Sequence, residues 1–223
     1  MAISPVEIEK IVKNVLAELG GASTESNTSG ADGNTIPVGI SNRHIHLNQA
    51  DLETLFGKGY QLTHFKDLSQ PGQYACKETL TLVGPSMRAI EGVRVLGPLR
   101  KASQVEISVT DSYVLKVKPP VRESGKLEGS APITIIGPKG IVKLDAGCII
   151  ANRHIHMSPS DASRFGVKDG DYIDVDATTG TKRTRWFDVQ VRVHPDFRLE
   201  MHVDTDEANA VGFKNGSTVT PVK

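Results

Sequence analysis

The sequence predicts a mainly β protein, built from two related β-barrel modules with short capping helices and preceded by a tethered N-terminal amphipathic helix. Three observations support this: short Val-, Ile- and Thr-rich segments between Gly, Pro and Asp, a repeated five-residue motif, and an amphipathic start followed by a polar stretch. We divide the chain into a helix (1–20), a linker (21–35), a first barrel (36–120) and a second barrel (121–223), with strands exchanged between modules as an open possibility.

The first element is an amphipathic segment at residues 4–20. Ser4 suits a helix cap, Pro5 a first turn and Gly20 a helix end, and the apolar residues between them fall mostly on one face. Residues 21–35 have the small, polar composition of a flexible linker. Two interpretations remain open: the helix folds back onto its own core, or it docks in a groove of a partner protein, which the tether favours.

Composition excludes several classes of protein. The sequence has 26 Lys and Arg residues and 26 Asp and Glu residues, so it lacks the excess of basic residues that is typical of nucleic-acid-binding proteins. No apolar stretch approaches the roughly 18 residues of a membrane span, and the first twenty residues do not read as a secretory signal. The two cysteines, Cys76 and Cys148, form no disulfide framework, and we expect two buried, inert thiols in a reducing cytoplasm.

The body contains an internal repeat. Asn-Arg-His-Ile-His occurs at residues 42–46 and again at 152–156, and each copy is followed by a helix start with a cap and an acidic residue three positions later. Further on, VRVLGPLR at 93–100 resembles VRVHPDFR at 191–198. The following segments align Glu106 with His202 if one residue is skipped. The repeat predicts two related barrel-like modules that meet near residues 119–131.

The repeated histidines predict two metal sites. Residues i and i+2 of a strand point to the same side, so the two imidazoles of each copy project together. The aligned third residue completes two sets: His44, His46 and Glu106 in the first module, and His154, His156 and His202 in the second. Three protein ligands are typical of catalytic zinc, although cobalt or nickel would also be accepted. The alternative is that the paired histidines bond only to backbone or solvent. His64 and His194 have no such partner in the sequence, and we expect them to be ordinary polar residues.

Three arginines accompany these ligands. Arg43 and Arg153 precede the paired histidines and point away from them in a regular strand, which suits salt bridges. Arg100 lies six residues before Glu106, after a Gly-Pro step. It would hold an anion in its bidentate fork, or form a surface salt bridge; spacing alone does not decide between the two.

Several separated motifs together resemble the phosphate propanoyltransferases, the PduL-type phosphotransacylases. They are SNRHIHL, KDLSQPGQYACKETL, VRVLGPLRKASQVEIS, ANRHIHMSPSDA and MHVDTDEANA, and the match covers about residues 36–220. The resemblance implies two barrels with two zinc ions and a reversible acyl transfer between coenzyme A and phosphate. The N-terminal helix is similar to the encapsulation peptide of bacterial microcompartments, which implies docking on shell or core proteins through residues 4–20 in the cytoplasm, as a homodimer or higher oligomer.

The resemblance also carries roles to residues of this chain. The six candidate ligands match the two zinc sites, and Arg100 matches the phosphate-binding arginine. Positions associated with coenzyme A are Ile40, Ser41, Asn42, Lys66, Arg94, Leu96 and Asn209. One departure concerns a lysine expected in a GPKG step, where residues 84–88 read GPSMR; we expect Arg88 to supply the missing charge.

We therefore predict a direct transfer, because metal ligands are present without a compelling nucleophile motif. The thioester sulfur would lie beside the first metal site, with phosphate held by Arg100. Two other functions remain open: a zinc-dependent thioester hydrolase, in which water replaces phosphate, and a metal-stabilised binding or scaffold module of a microcompartment. The sequence does not fix the acyl chain length and does not decide between acetyl and propanoyl.

Overall fold

The structure is a computed structural model that describes residues 33–214 and 216–222. The predicted helix at 4–20 and most of the linker lie outside the described residues and stay predictions. The strands of the described part are β1 (Ile36–Ser41), β2 (His44–His46), β3 (His64–Asp67), β4 (Tyr74–Val83), β5 (Ala89–Gly97), β6 (Gln104–Glu106), β7 (Val121–Arg122), β8 (Ala131–Ile136), β9 (Ile141–Ala151), β10 (His154–Met157), β11 (Tyr172–Ala177), β12 (Thr184–Val193), β13 (Glu200–Asp204) and β14 (Thr218–Pro221). Its helices are α1 (Gln49–Phe56), α2 (Val109–Leu115), α3 (Pro159–Phe165) and α4 (Thr205–Val211).

The strands close into two six-stranded barrels, which confirms the predicted fold class. Barrel 1 contains β4, β5, β2, β6, β9 and β8 in that order, and β8 pairs back onto β4; β3 and β7 extend it at β4 and β9. Barrel 2 contains β1, β13, β10, β12, β11 and β14. No helix among the described residues is long and apolar enough to span a membrane.

Each barrel takes strands from both halves of the sequence. The described part of the chain starts in barrel 2 with β1, crosses to barrel 1 at Asn42 and Arg43, and crosses back at Asn152 and Arg153 between β9 and β10. The repeated Asn-Arg pair is thus the crossing point, and the histidines that follow it begin the first strand of the barrel being entered. The division at residues 120 and 121 stays a prediction about the repeated halves, because the barrels themselves are not contiguous in sequence.

The register of the sheets corrects one detail of the repeat. In barrel 1 His44 pairs with Arg94, and in barrel 2 His154 pairs with Gln190. Arg94 therefore corresponds to Gln190, and the matching Val-Arg-Val letters are two residues out of register. With this correction β5–β6 superposes on β12–β13 without a gap, and Glu106 still corresponds to His202.

Side chains alternate between the two faces of the strands β2 and β10, so that one face packs in a barrel core and the other carries the histidines. Ile45 and Ile155, the central residues of the two His-Ile-His segments, are completely buried in the hydrophobic cores of barrel 1 and barrel 2 respectively. Because side chains alternate across a strand, the flanking histidines are directed to the other face. Each core isoleucine thereby fixes the register of a histidine pair, since a one-residue slip would exchange the two faces.

The short helices begin as the sequence predicts. The side chain of Asn48 accepts a hydrogen bond from the backbone N–H of Asp51 at the start of α1. Ser158 and Asp161 form a reciprocal capping box at the start of α3. At the other end of α1, the Gly-Pro turn between β8 and β9 packs so closely that a Cβ on Gly137 would lie 2.6 Å from the carbonyl oxygen of Leu55. Residues 137–140 read GPKG, and Gly137 of this turn is therefore required by packing, independently of the lysine that follows it.

Candidate active site

The first candidate metal group lies on adjacent strands of barrel 1. Glu106 on β6 pairs directly with His44 on the antiparallel strand β2, and His46 follows two residues later. All three side chains are buried, and their potential ligand atoms lie within 4.8 Å of one another. The Nε2 atom of His44 is 3.5 Å from Oε2 of Glu106. Sequence reasoning placed these three residues together, and the structure does so.

The second group repeats this arrangement in barrel 2. His202 on β13 pairs directly with His154 on the antiparallel strand β10, and the potential ligand atoms of His154, His156 and His202 also lie within 4.8 Å of one another. The ring of Phe197 packs against His156 with its centroid 4.2 Å away. The two groups thus share one geometry and differ in the third residue, a carboxylate in barrel 1 and an imidazole in barrel 2.

Hydrogen bonding indicates which nitrogens are free to bind a metal. Nδ1 of His44 and Nδ1 of His154 bond the carbonyl oxygens of Asn42 and Asn152 at 2.8 Å, which leaves Nε2 of each ring. The Nδ1 atoms of the other paired histidines, His46 and His156, are buried and have no hydrogen-bond partner within the described residues. A buried nitrogen without a partner is costly unless something binds it, so both donor sets fit a divalent metal ion.

Burial and neighbouring charges together set the protonation of these groups. Burial lowers the pKa of His46 to about 2, helped by neighbouring His44, and lowers the pKa of His154 and His156 to about 4 and about 2 respectively. Burial also acts to lower the pKa of His44, but the adjacent Glu106 carboxylate outweighs burial, and the pKa of His44 is raised. Burial opposes the charge of Glu106, yet His44 and the bonded partners hold its pKa well below the usual range. The neutral imidazoles and ionised carboxylate are the forms that bind metals.

Both groups open on a single cavity of about 490 Å³ between the barrels. All six candidate ligands and Arg100 line it. The two crossings of the chain produce this convergence, because each crossing residue pair is followed at once by the first histidine of a group. The volume lies within the range of small-molecule sites, and the cavity opens to solvent.

Arg100 is fixed beside Glu106 through a serine. The backbone N–H of Arg100 donates to the carbonyl oxygen of Leu47 at 2.9 Å, and its guanidinium donates to Oγ of Ser124 at 3.0 Å. The Ser124 hydroxyl in turn donates to Oε1 of Glu106 at 2.7 Å, while the amide of Gln104 donates to both Ser124 and Glu106. The guanidinium is therefore held in one orientation next to the first group, on the cavity wall.

Sequence reasoning missed the loop that carries Ser124. This loop lies in the stretch interpreted as a junction between modules, where turn-rich composition gives no sign of a functional side chain. Next to Ser124, the carboxylate of Glu123 accepts from Gln190 at 3.3 Å and lies 3.7 Å from Arg192. Arg192 lines the same cavity and was hidden by the misaligned Val-Arg-Val letters. One short loop thus contacts polar residues of both barrels.

The predicted coenzyme A positions divide into two sets. Those on the cavity wall are Ile40, Ser41, Asn42, Lys66, Arg94 and Leu96. Arg94 bonds two carbonyl oxygens, those of Cys76 and Lys77, and its guanidinium lies 5.4 Å from the centroid of the Phe65 ring. Arg88, in the turn between β4 and β5, and Asn209, on α4, are exposed and lie outside the cavity lining of the single chain. Their roles stay predictions.

The remaining sequence predictions concern structural residues. Arg43 forms an ion pair with Asp111 at 2.7 Å and Arg153 with Glu207 at 3.1 Å, as expected of side chains directed away from the histidines. Cys76 and Cys148 are buried free thiols, and burial raises their pKa to about 11 and about 12 respectively. His64 and His194 are exposed beside nearby carboxylates, outside both metal groups.

Fold and site together define a class: a double β-barrel protein with two candidate three-ligand metal centres on one shared cavity.

Comparison with known proteins gives the family. A family model described as phosphate propanoyltransferase matches residues 37–214. A phosphate propanoyltransferase of Lachnoclostridium phytofermentans is 55% identical over 213 residues, covering 96% of this chain and 95% of its own. One from Thermotoga maritima is 60% identical over 184 residues, covering 82% and 87% respectively. The chain therefore belongs to the phosphate propanoyltransferase family, a family of acyltransferases.

Proposed function

We propose that this protein interconverts a short-chain acyl-CoA plus phosphate with an acyl phosphate plus coenzyme A, using two divalent metal ions. The observation that carries the proposal is the convergence of two three-ligand groups and a fixed arginine on one cavity. Family membership supports the transacylase chemistry. Zinc is the metal that best suits the donor sets, which contain two imidazoles with a carboxylate and three imidazoles.

The metal ions would be held by His44, His46 and Glu106, and by His154, His156 and His202. When bound, they supply positive charge beside the thioester, which polarises the acyl carbonyl and makes the coenzyme A sulfur a better leaving group. Removal of water from the cavity by the bound substrate would strengthen these electrostatic effects.

The chain's own residues would position phosphate for direct transfer. An oxygen of phosphate forms a bond to the acyl carbon, the carbon–sulfur bond breaks, and coenzyme A leaves with the electron pair of that bond. Arg100, oriented by Ser124, would bind two phosphate oxygens through its fork and hold the nucleophile beside the acyl carbon. Arg192, on a strand of barrel 2, lines the same cavity and would add to the positive field.

Two features support direct transfer over an acyl-enzyme. Cys76 and Cys148 are buried with a raised pKa, so neither is a competent thiolate. The Ser124 hydroxyl donates to Glu106, a carboxylate whose pKa is strongly depressed. Such a carboxylate is a weak base, and it would be weaker still when bound to a metal.

Coenzyme A would extend along the cavity wall from the first metal group. Lys66 and Arg94 would bind its phosphates, and Ile40 and Leu96 would contact the apolar part of its chain. Arg88 and Asn209 would complete this site only with a second copy of the chain or a rearrangement of the exposed loops, which agrees with the expected homodimer or higher oligomer.

The test is a thiol-release assay with acetyl-CoA and propanoyl-CoA, with and without phosphate, followed by metal analysis of the same sample. We expect thiol release that depends on phosphate, from protein containing two ions per chain. Release that ignores phosphate would favour the hydrolase. Absence of release, with unfolding on treatment with a chelator, would favour a metal-stabilised scaffold.

We further propose, from the sequence alone, that residues 4–20 direct the enzyme to microcompartment shell or core proteins. Deletion of residues 1–20 should preserve activity and abolish co-localisation with those proteins. Unchanged encapsulation of the truncated protein would refute this part of the proposal and leave the catalytic part intact.

A further inference from the structure

His202 has a carboxylate neighbour that does not belong to the ligand group. Glu200 lies two residues earlier on β13, and its Oε2 is 2.6 Å from Nε2 of His202. Among the described residues, the group whose potential ligand atoms all lie within 4.8 Å of one another consists of His154, His156 and His202, and Glu200 is not part of it. An ionised carboxylate only accepts hydrogen bonds, so Nε2 of His202 carries the proton and its Nδ1 keeps a free lone pair.

A loop of barrel 1 holds this carboxylate. The hydroxyl of Ser69 and the amide of Gln70 both donate to Oε2 of Glu200, the latter at 3.4 Å. Gln70 is 2% exposed and also exchanges two hydrogen bonds with the backbone of Arg198, donating to its carbonyl at 3.0 Å and accepting from its N–H at 3.2 Å. The orientation of Glu200 in barrel 2 is thus set by residues of barrel 1.

The space for Glu200 depends on a glycine. Gly39 on β1 pairs with His202 on the parallel strand β13. A Cβ at position 39 would lie 2.8 Å from Cδ of Glu200 and 2.9 Å from its Oε1, closer than real Cβ contacts come. The absent side chain therefore creates the cradle in which the carboxylate meets the imidazole.

Barrel 1 has an equivalent pair of residues in which the hydrogen-bond donor and acceptor are exchanged. Gln104 corresponds to Glu200 in the sheet register, since it lies two residues before the third ligand on β6. Its amide donates to Oε1 of Glu106. In each barrel the third ligand is therefore bonded by the residue two positions earlier: a donor amide for a carboxylate ligand, and an acceptor carboxylate for an imidazole ligand.

We propose that Glu200 is a positioning residue for the second metal site, which fixes the ring and the tautomer of His202 and is itself held by Ser69 and Gln70 across the barrel boundary. The inference rests on the proposed metal site of barrel 2. A carboxylate that accepts from a ligand histidine raises the basicity of the imidazole and removes its rotational freedom, and loss of such a partner typically costs 10–100-fold in metal affinity.

The experiment measures the affinity of both ions in the full-length protein by competition with a chromophoric zinc chelator, and records the absorption spectrum of the cobalt-substituted protein. In Glu200→Ala we expect one ion to bind about 10–100-fold more weakly while the other keeps its affinity. Glu200→Gln, which retains an acceptor but loses the charge, should lie between this variant and the unsubstituted protein. Gln70→Ala removes one of the two donors of barrel 1 that hold Glu200, and should weaken the same ion by about two- to tenfold.

Three comparisons make the result specific. Gln104→Ala should weaken the other ion, and Glu128→Gln at an exposed position should change neither affinity. Thermal unfolding of the metal-free variants shows whether the fold is retained. Unchanged affinities of both ions in Glu200→Ala, or equal weakening of both, would overturn the inference. If the unsubstituted protein binds no ion through His202, the proposed metal site fails instead.

Discussion

Glu106 lies directly opposite His44 across the antiparallel pair β2–β6, with its Oε2 3.5 Å from Nε2 of that histidine. A ligand that is remote in sequence is thereby fixed by strand register alone, and the same relation recurs between His202 and His154. Four predictions follow from this geometry and its surroundings.

The first prediction concerns Glu106 itself. Glu106→Ala should reduce the metal content from two ions per chain to one, because two imidazoles alone hold an ion weakly. Loss of the positive charge of this ion next to the thioester should lower kcat/KM at least about a thousandfold, which corresponds to several kcal/mol in the activation free energy. Metal analysis and the thiol-release assay measure both effects, with Glu128→Gln as control. Retention of two ions at full occupancy would contradict the assignment.

The second prediction concerns Arg100. Arg100→Lys keeps the positive charge but loses the bidentate fork, so the KM for phosphate should rise and kcat/KM should fall about 10–100-fold. The KM for acyl-CoA should change much less. Arg185→Lys is the matched control, because Arg185 bonds Asp176 on an exposed hairpin of barrel 2. An unchanged KM for phosphate would show that the anion binds elsewhere.

The third prediction separates direct transfer from a covalent route. In Ser124→Ala, Arg100 loses one of its partners, and we expect a loss of about tenfold or less in kcat, the size of a lost hydrogen bond. An acyl-enzyme on Ser124 would require a loss of at least about 10⁴-fold. Mass spectrometry of the protein during turnover provides an independent readout. An acyl adduct that forms as fast as turnover would exclude direct transfer.

The fourth prediction concerns the pH dependence of the metal-free protein. Burial lowers the pKa of His46, His154 and His156 to about 2, 4 and 2, whereas unfolded histidines titrate near 6.5. Between pH 7 and pH 5 the unfolded chain thus binds more protons than the folded chain. The free energy of unfolding must therefore decrease as the pH is lowered from 7 to 5, by about 2 kcal/mol for each of these histidines. His44 has a raised pKa and acts in the opposite direction, which reduces the total.

Urea unfolding of the chelator-treated protein at pH 7 and pH 5 measures this dependence. His156→Asn should remove about 2 kcal/mol of it, while His64→Asn, at an exposed position, should leave it unchanged. A free energy of unfolding that stays constant or rises toward pH 5 would show that the three imidazoles are not held neutral.

The ligands were predictable because they depend on short-range rules. The period of two along a strand places both histidines of a pair on one face, and duplication identifies the third ligand by comparison of the copies. The cap residues Asn48 and Ser158 were predictable for the same local reason. These patterns require no knowledge of how the sheets close.

The supporting residues were not predictable because their partners are distant. Ser124 was hidden in a polar loop, and nothing in the sequence joins Gln70 to Glu200, which meet only after both barrels have closed. The exchange of strands remained an open possibility, since hydrophobic alternation gives the face of a strand but not its neighbours. Likewise, matching letters suggested an alignment of Arg94 with Arg192 that pairing in the sheets overrules.

The crossing of the chain between barrels also sets an order of assembly during synthesis. All strands of barrel 1 are complete once β9 has left the ribosome, so this barrel can close first. β1 must wait, because Val38 pairs with Met201 near the end of the chain and Ile36 pairs with Val219. A nascent chain therefore carries an unpaired apolar strand until translation is almost finished, the interval in which it is most exposed to aggregation and to chaperones.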